Sequence, residues 1–325
     1  MKSLASGLSL LLITACLMGL GIAVGSTGWS PPWQAGSDPV VWQIVWDIRA
    51  SRCAGAWLAG ALLGLGGAVA QGLFRNPLAD PYLLGSSSGA SLGVALFLSW
   101  LGVSPASTEW MIRLGLTGAA FVGAVCAVLL TLVLAKGVEH TLRLLLAGVV
   151  VGVVLGAISA LTMLLTPDIM RAMQAFMLGT TGFLGWGSVT VLLPTLVVCL
   201  LLAWGCSRAL DAISLGDATA VSLGVRLGLV RALLVGVLAA ATGAAVAQAG
   251  LISFVGLVAP HLVRSQVRVT HGPLLVLSAF VGGVLLLAAD ILARWSLAPQ
   301  ELPVGVLTAV LGGGYLLWRM HRDLR

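Results

Sequence analysis

A helix needs about 20 consecutive apolar residues to cross the hydrocarbon core of a bilayer, and this chain offers such runs almost end to end. They fall at 4–25, 53–73, 83–103, 111–135, 144–165, 188–206, 274–293 and 302–320. Runs of this length with hardly a charge leave no polar face for water, so the chain is expected to be an integral membrane protein. Composition agrees: 59% of the residues are hydrophobic and 9% are charged, where a soluble domain carries about 25% charged residues.

The stretch 229–263 is apolar throughout, too long for one crossing and too short for two ordinary ones. Gly250, Gly256 and Pro260 interrupt its second half. That suits a full helix over 229–249 and a short, broken one over 251–263, because irregular backbone at membrane depth is tolerated where protein buries it. The total becomes ten, and sidedness tests it. With the N-terminus inside, ten crossings place Lys2, Arg75, Lys136, Arg143, Arg208, Arg226, Arg231, Arg264, Arg268, Arg319, Arg322 and Arg325 in the cytoplasm. Only Arg49, Arg52, Arg113, Arg171 and Arg294 stay outside. This bias obeys the positive-inside rule, whereas nine crossings would strand Arg264, Arg268 and the tail "RMHRDLR" outside. Both termini are therefore expected in the cytoplasm. The net charge of +6 reads as topology and not as affinity for nucleic acid, since the basic residues stand singly between apolar runs. The chain begins like a signal peptide, but that apolar core is about twenty residues long and is kept as the first span.

"GGAVAQGLFRNPLADP" (66–81) is echoed by "GAAVAQAGLISFVGLVAP" (243–260). The two AVAQ tetrapeptides end the second and seventh spans, which run in opposite directions. The expectation is an all-α polytopic protein, one transmembrane domain over 1–325, with spans 2–5 and 7–10 forming an inverted repeat of the kind common in transporters.

Several chemistries find no support. Cys16, Cys126, Cys199 and Cys206 lie inside apolar runs and Cys53 at the edge of one, which is neither a disulfide framework nor a metal-type spacing. The phosphate-loop pattern G-x-x-x-x-G-K-[S/T] is absent, so the chain does not bind ATP by that motif. Asp290 stands four residues before Arg294, and an i, i+4 ion pair is its simplest account. A rival class, an ion-coupled secondary transporter, would need acids or histidines at mid-span, and spans 2–10 offer almost none.

Three stretches carry a resemblance. "QGLFRNPLADPYLLGSSSGA" (71–90), "GLISFVGLVAPHLVR" (250–264) and "LAADILARWSLAPQELPVGVLTAVLGG" (287–313) resemble, in this order, the permease subunits of type II ABC importers for cobalamin, haem and ferric siderophores. The resemblance spans essentially the whole chain. It implies a non-catalytic permease of the bacterial inner membrane that pairs with a second copy of itself. Two cytoplasmic ATPases would bind ATP and Mg, a periplasmic or tethered binding protein would deliver cargo, and this chain would hold no cofactor of its own. Iron chelates are the commoner cargo of such importers, which favours haem or a siderophore over cobalamin.

The resemblance also assigns roles. In "LDAISLGDATAVSLGVRLG" (210–228), Asp211 and Asp217 precede small-residue stretches ending at Gly216 and Gly224, a pattern of two short helices with acidic starts and glycine stops. From composition this is an amphipathic linker; by resemblance it is the segment that couples to the ATPase, through Leu215, Gly216, Asp217, Leu223 and Gly224. "EHTLRLLLAG" (139–148) places Thr141 and Leu142 at the cytoplasmic gate. Gly148, Gly152 and Gly156 share one helical face and permit close backbone approach, and in the resembling importers that helix borders the translocation path at the dimer axis. Arg49, Arg52 and Arg294, exceptions to the positive-inside rule, are snorkelling anchors on the plainest reading. By resemblance they receive carboxylates of the binding protein, a task that suits the bidentate guanidinium fork.

Overall fold

The computed structural model describes residues 2–25, 28–29, 31, 38–101, 110–138 and 141–323. In chain order its helices are α1 (Lys2–Ala23), α2 (Pro39–Gln43), α3 (Ser51–Phe74), α4 (Ser86–Leu101), α5 (Trp110–Leu134), α6 (Thr141–Leu165), α7 (Met170–Leu178), α8 (Trp186–Gly205), α9 (Ser207–Ser214), α10 (Asp217–Ser222), α11 (Leu227–Ala249), α12 (Val255–Gln266), α13 (His271–Trp295) and α14 (Val304–Asp323). A two-residue hairpin, Val24–Gly25 with Gly28–Trp29, follows α1. A helix covers each of the ten apolar runs, although residues 102–103 of the third run, and Arg325, lie outside the described residues. Among the described residues, six helical stretches are long and apolar enough to cross a membrane: Pro39–Phe74, Leu114–Leu134, Thr141–Leu165, Trp186–Gly205, Leu227–Ala249 and His271–Trp295.

Helix boundaries differ from the sequence reading in three places. The second span was expected to begin at residue 53, but helical chain runs continuously from Pro39. Asp38 caps it by accepting from Val40 N–H at 2.9 Å, and Pro39 takes the first-turn position where no N–H is missed. A wider π-type turn over Ile44–Ala50 joins α2 to α3, so Arg49 and Arg52 lie within this helix instead of ahead of it. The broken segment parts at 250–254, where Gly250 and Phe254 adopt positive φ of 71° and 68°. Gly256 and Pro260 stay inside α12. Finally, α7 and the single turn before it, Pro167–Ile169, are too short for a hydropathy window to register.

Helix α3 is the centre of the bundle: only Ala54 and Trp57 of its 24 residues escape full burial. Lipid tails are as apolar as leucine, so helices associate in a membrane by close packing rather than by leaving the solvent. Glycine permits that packing here. A Cβ on Gly64 would sit 2.2 Å from the Ser278 carbonyl oxygen of α13, and one on Gly67 would sit 1.7 Å from the Gly256 oxygen of α12. The same device joins α4 to α5, where Gly89 faces Gly123 and Gly93 faces Ala119. In the packing, α3 lies against α11, α12 and α13, and α11 lies in turn against α4 and α5. By contrast α6 buries only Leu144, Gly148, Val151 and Ser159, and turns the rest of an apolar surface outward.

Candidate functional site

Polar side chains gather at the two ends of α3, about 36 Å apart by the rise of a helix of this length. At the first end Asp290 is fully buried, an expensive place for a carboxylate unless it is paired. Its Oδ2 receives Arg294 Nη2 at 2.7 Å, and its Oδ1 receives Arg52 Nε at 2.9 Å and the Thr181 hydroxyl at 2.5 Å. Arg294 is 2% exposed, and its Nη1 donates to the carbonyls of Gly21 (3.0 Å) and Val24 (2.7 Å). Arg49, half-buried, donates from Nη1 to Ile22 O at 3.1 Å. The Gly21 and Ile22 carbonyls lie in the last turn of α1 and have no partner within the helix, and the two arginines supply donors and positive charge where the helix dipole is negative. Arg52 turns its other two nitrogens to Glu301, Nη1 to Oε1 at 3.1 Å and Nη2 to Oε2 at 2.9 Å.

Arg49, Arg52 and Arg294 thus converge, but in unequal positions. The i, i+4 pair expected of Asp290 and Arg294 is present. Arg294 points inward, with its Nε, Nη1 and Nη2 all bonded inside the protein. Glu301, Thr181 and the bonding of Arg52 to Asp290 were not foreseen. The one signal available was a lone acid, Asp290, inside an apolar span.

At the opposite end, α9 and α10 form a small unit with its own core of Ala212, Ile213 and Ala220, packed by Val225, Leu227 and Val230. Gly216 and Gly224 end the two helices at φ of 109° and 83°, a conformation that favours glycine. Asp217 opens α10 as expected. Asp211 does not open α9, which begins at Ser207, so that acid sits mid-helix. There its Oδ1 accepts from the backbone N–H of His271 at 3.0 Å and lies 2.6 Å from the imidazole Nδ1, fastening α9 to the start of α13. Asp217 fastens α10 in turn: Oδ2 receives Arg231 Nη2 of α11 at 2.8 Å, and Oδ1 lies 3.5 Å from Arg75 Nη2 at the end of α3. Leu215 and Leu223, 68% and 64% exposed, stand clear of this unit as two apolar knobs. In the neighbouring 75–85 connection, Asp80 accepts from Tyr82 N–H at 2.8 Å. Burial raises its carboxyl above the ordinary range, against the lowering by that bond.

A two-ended bundle of this kind matches known proteins along nearly its full length. The model of the FecCD transport family matches residues 10–322. The chain belongs to the FecCD transport family. The permease is 38% identical to the hemin transport system permease protein HmuU of Yersinia pestis, over 97% of this chain and 95% of that one. It is 37% identical to the vitamin B12 import system permease protein BtuC of Klebsiella pneumoniae, over 98% and 93%. Among solved structures, an inward-facing one described as of the metal-chelate ABC transporter type superposes with a TM-score of 0.86 at 27% identity, over 97% of this chain and 98% of that one. PsaBC from Streptococcus pneumoniae shares the fold at 16% identity and a TM-score of 0.60, over 82% and 88% of the two chains. The fold class and the character of a permease subunit without catalysis of its own follow from this membership.

The remaining expected residues lie on α6 of the permease. Thr141, half-buried, opens that helix, and Leu142 follows at 71% exposure. Gly148 makes the close approach its spacing suggests, since a Cβ there would meet the Leu83 oxygen at 2.1 Å. Gly152 and Gly156 continue the face beside the Ser88 hydroxyl with room to spare, at 3.7 and 3.8 Å. The stripe therefore seats α6 on the start of α4, and the apolar side chains beside it, Val149, Val150 and Val153, face outward. No group of three or more His, Cys, Asp or Glu able to hold a metal occurs among the described residues.

Proposed function

We propose that this permease works as a homodimer that moves an iron or cobalt chelate into the cytoplasm by ATP-driven alternating access, with haem or a ferric siderophore favoured over cobalamin. The observation that carries this reading is near-complete coverage by relatives named for hemin and for vitamin B12, at 38% and 37% identity. The ten helices that cover the apolar runs are taken as ten crossings with both termini cytoplasmic. The outward apolar face of α6 suits a second copy, with Gly148, Gly152 and Gly156 beside the path and Thr141 and Leu142 at its cytoplasmic mouth. ATP and Mg belong to two partner ATPases. The direct test is uptake by proteoliposomes holding permease, ATPases and binding protein, offered haem, a ferric siderophore and cobalamin in turn. Transport of one chelate, lost without ATP, is expected; uptake driven by a sodium or proton gradient would sink the reading.

The ATPase is proposed to grip Leu215 and Leu223, which lie on either side of α10. The ion pairs of Asp217 to Arg231 and Arg75 then carry its motion to α11 and α3. Reversing the charge with Asp217→Arg places three cations together, and like charges at this range repel strongly enough to displace α10. Chelate uptake is expected to fall by about tenfold or more, with the permease still extracted as a dimer. Uptake at the parent rate would show that the pairs are dispensable. At the outer end, Arg49 and Arg52 are proposed to receive carboxylates of the binding protein while Arg294 supports them from below. Arg49→Glu is expected to weaken capture of that protein in a pull-down on the assembled importer.

A further inference from the structure

We propose that Glu301 is a resident substitute for a carboxylate of the binding protein, so that docking proceeds by exchange on Arg52. This rests on the docking reading given above. The two sides of the Arg52 guanidinium differ. Its Nε is bonded to Asp290, which has no exposed surface and lies beyond the reach of any partner. Its Nη1 and Nη2 form a two-point pair with Glu301, whose side chain is 29% exposed. A planar fork that grips one carboxylate by two parallel bonds grips another equally well.

Two features let an exchange occur. Glu301 lies in the exposed connection between α13 and α14, so its withdrawal needs no movement of a packed helix. Arg52 itself is buried, so the exposed Glu301 is the side from which a partner reaches the pair, and the residue beside it there is Gly182. A Cβ there would come within 3.4 Å of the Thr180 hydroxyl, 3.8 Å of Arg52 Nη1 and 3.9 Å of Glu301 Oε2, so glycine adds no side chain of its own over the pair. Replacing one carboxylate by another keeps the guanidinium paired on both sides of the step. The cost of leaving a buried cation without a partner is avoided. A permanent internal acid would thus keep Arg52 formed and aligned between visits, at the expense of affinity during them.

The test is the affinity of the cognate binding protein for the complete importer, permease dimer with its ATPases, held in nanodiscs and read by biolayer interferometry. Glu301→Gln keeps the shape and removes the competing charge, so binding is expected to tighten by about fivefold or more, mainly through slower dissociation. A role confined to structure would give the opposite sign, a weakened platform and weaker binding. Affinity unchanged or reduced in this variant overturns the exchange. Glu301→Asp, one methylene short of the fork, is read in the same way where the glutamine variant assembles poorly, and tighter binding is again required. Arg49→Glu separates the two ideas: weakening by it with no gain from Glu301→Gln removes the exchange and leaves docking. No effect from either removes docking and the exchange together.

Discussion

Replacing Asp290 by alanine is expected to disorganise the Arg52–Asp290–Arg294 end of the permease and to lower its stability by about 3–5 kcal/mol, the range for removing one partner from a buried ion pair. The carboxylate is fully buried and serves two guanidiniums that are 8% and 2% exposed. Without it, Arg52 retains Glu301, but Arg294 retains only neutral acceptors, the carbonyls of Asp290, Gly21 and Val24 and the Cys53 sulfur. Two cations then face one another with no charge between them. Asp290→Asn, which keeps the shape, should fall between parent and alanine. Thermal unfolding of the detergent-solubilised permease, followed by fluorescence-detected size exclusion, would register the order. Equal stability of all three proteins would mean that the network is ornamental to folding.

Substitution of Gly67 by alanine should be as damaging with only one carbon added. The new Cβ would lie 1.7 Å from the Gly256 oxygen, and the obstacle is backbone, which no rotamer change can clear. Helices α3 and α12 must separate, at about 3 kcal/mol, the upper end of the usual overpacking range. Gly236→Ala in α11 is the matched control, since nothing lies within 4 Å of a Cβ there. It should change stability by less than about 0.5 kcal/mol. Heat-denaturation midpoints of the two variants against the parent decide the matter, and a stable Gly67→Ala protein would contradict the close crossing.

The apolar helices were legible in the sequence because hydropathy is a local property that sums over twenty residues. The break after Ala249 was legible because glycine at 250 stops a helix at any depth. Short elements were less so: α7 and α9 are shorter than any window that averages hydropathy, and the misplaced start of α9 followed from taking Asp211 for a helix-opening acid. The acid's real partner, His271, lies 60 positions away. The same limit explains the outer end. The pair Asp290 to Arg294 is four residues apart and follows from helical period, but Arg52 reaches Asp290 across 238 positions and Glu301 across 249. Pairings of that kind exist only once the chain has folded. The 210–228 segment stood out because glycines and an opening acid mark its second helix locally. Its fastening to Arg231 and Arg75 did not, because lone arginines at span ends are ordinary in any membrane protein.

The glycine crossings of α3 also bear on which parts of the permease can travel. Backbones in direct contact have no layer of side chains to deform, and close-packed interiors yield by discrete steps, not by gradual give. A core of α3, α12 and α13 locked in this way would behave as a single stationary mast. In the alternating access proposed above, movement would fall to elements moored by fewer ropes. Among these, α14 rests lightly on α12 and α13, and α6 leans on the body chiefly along one face.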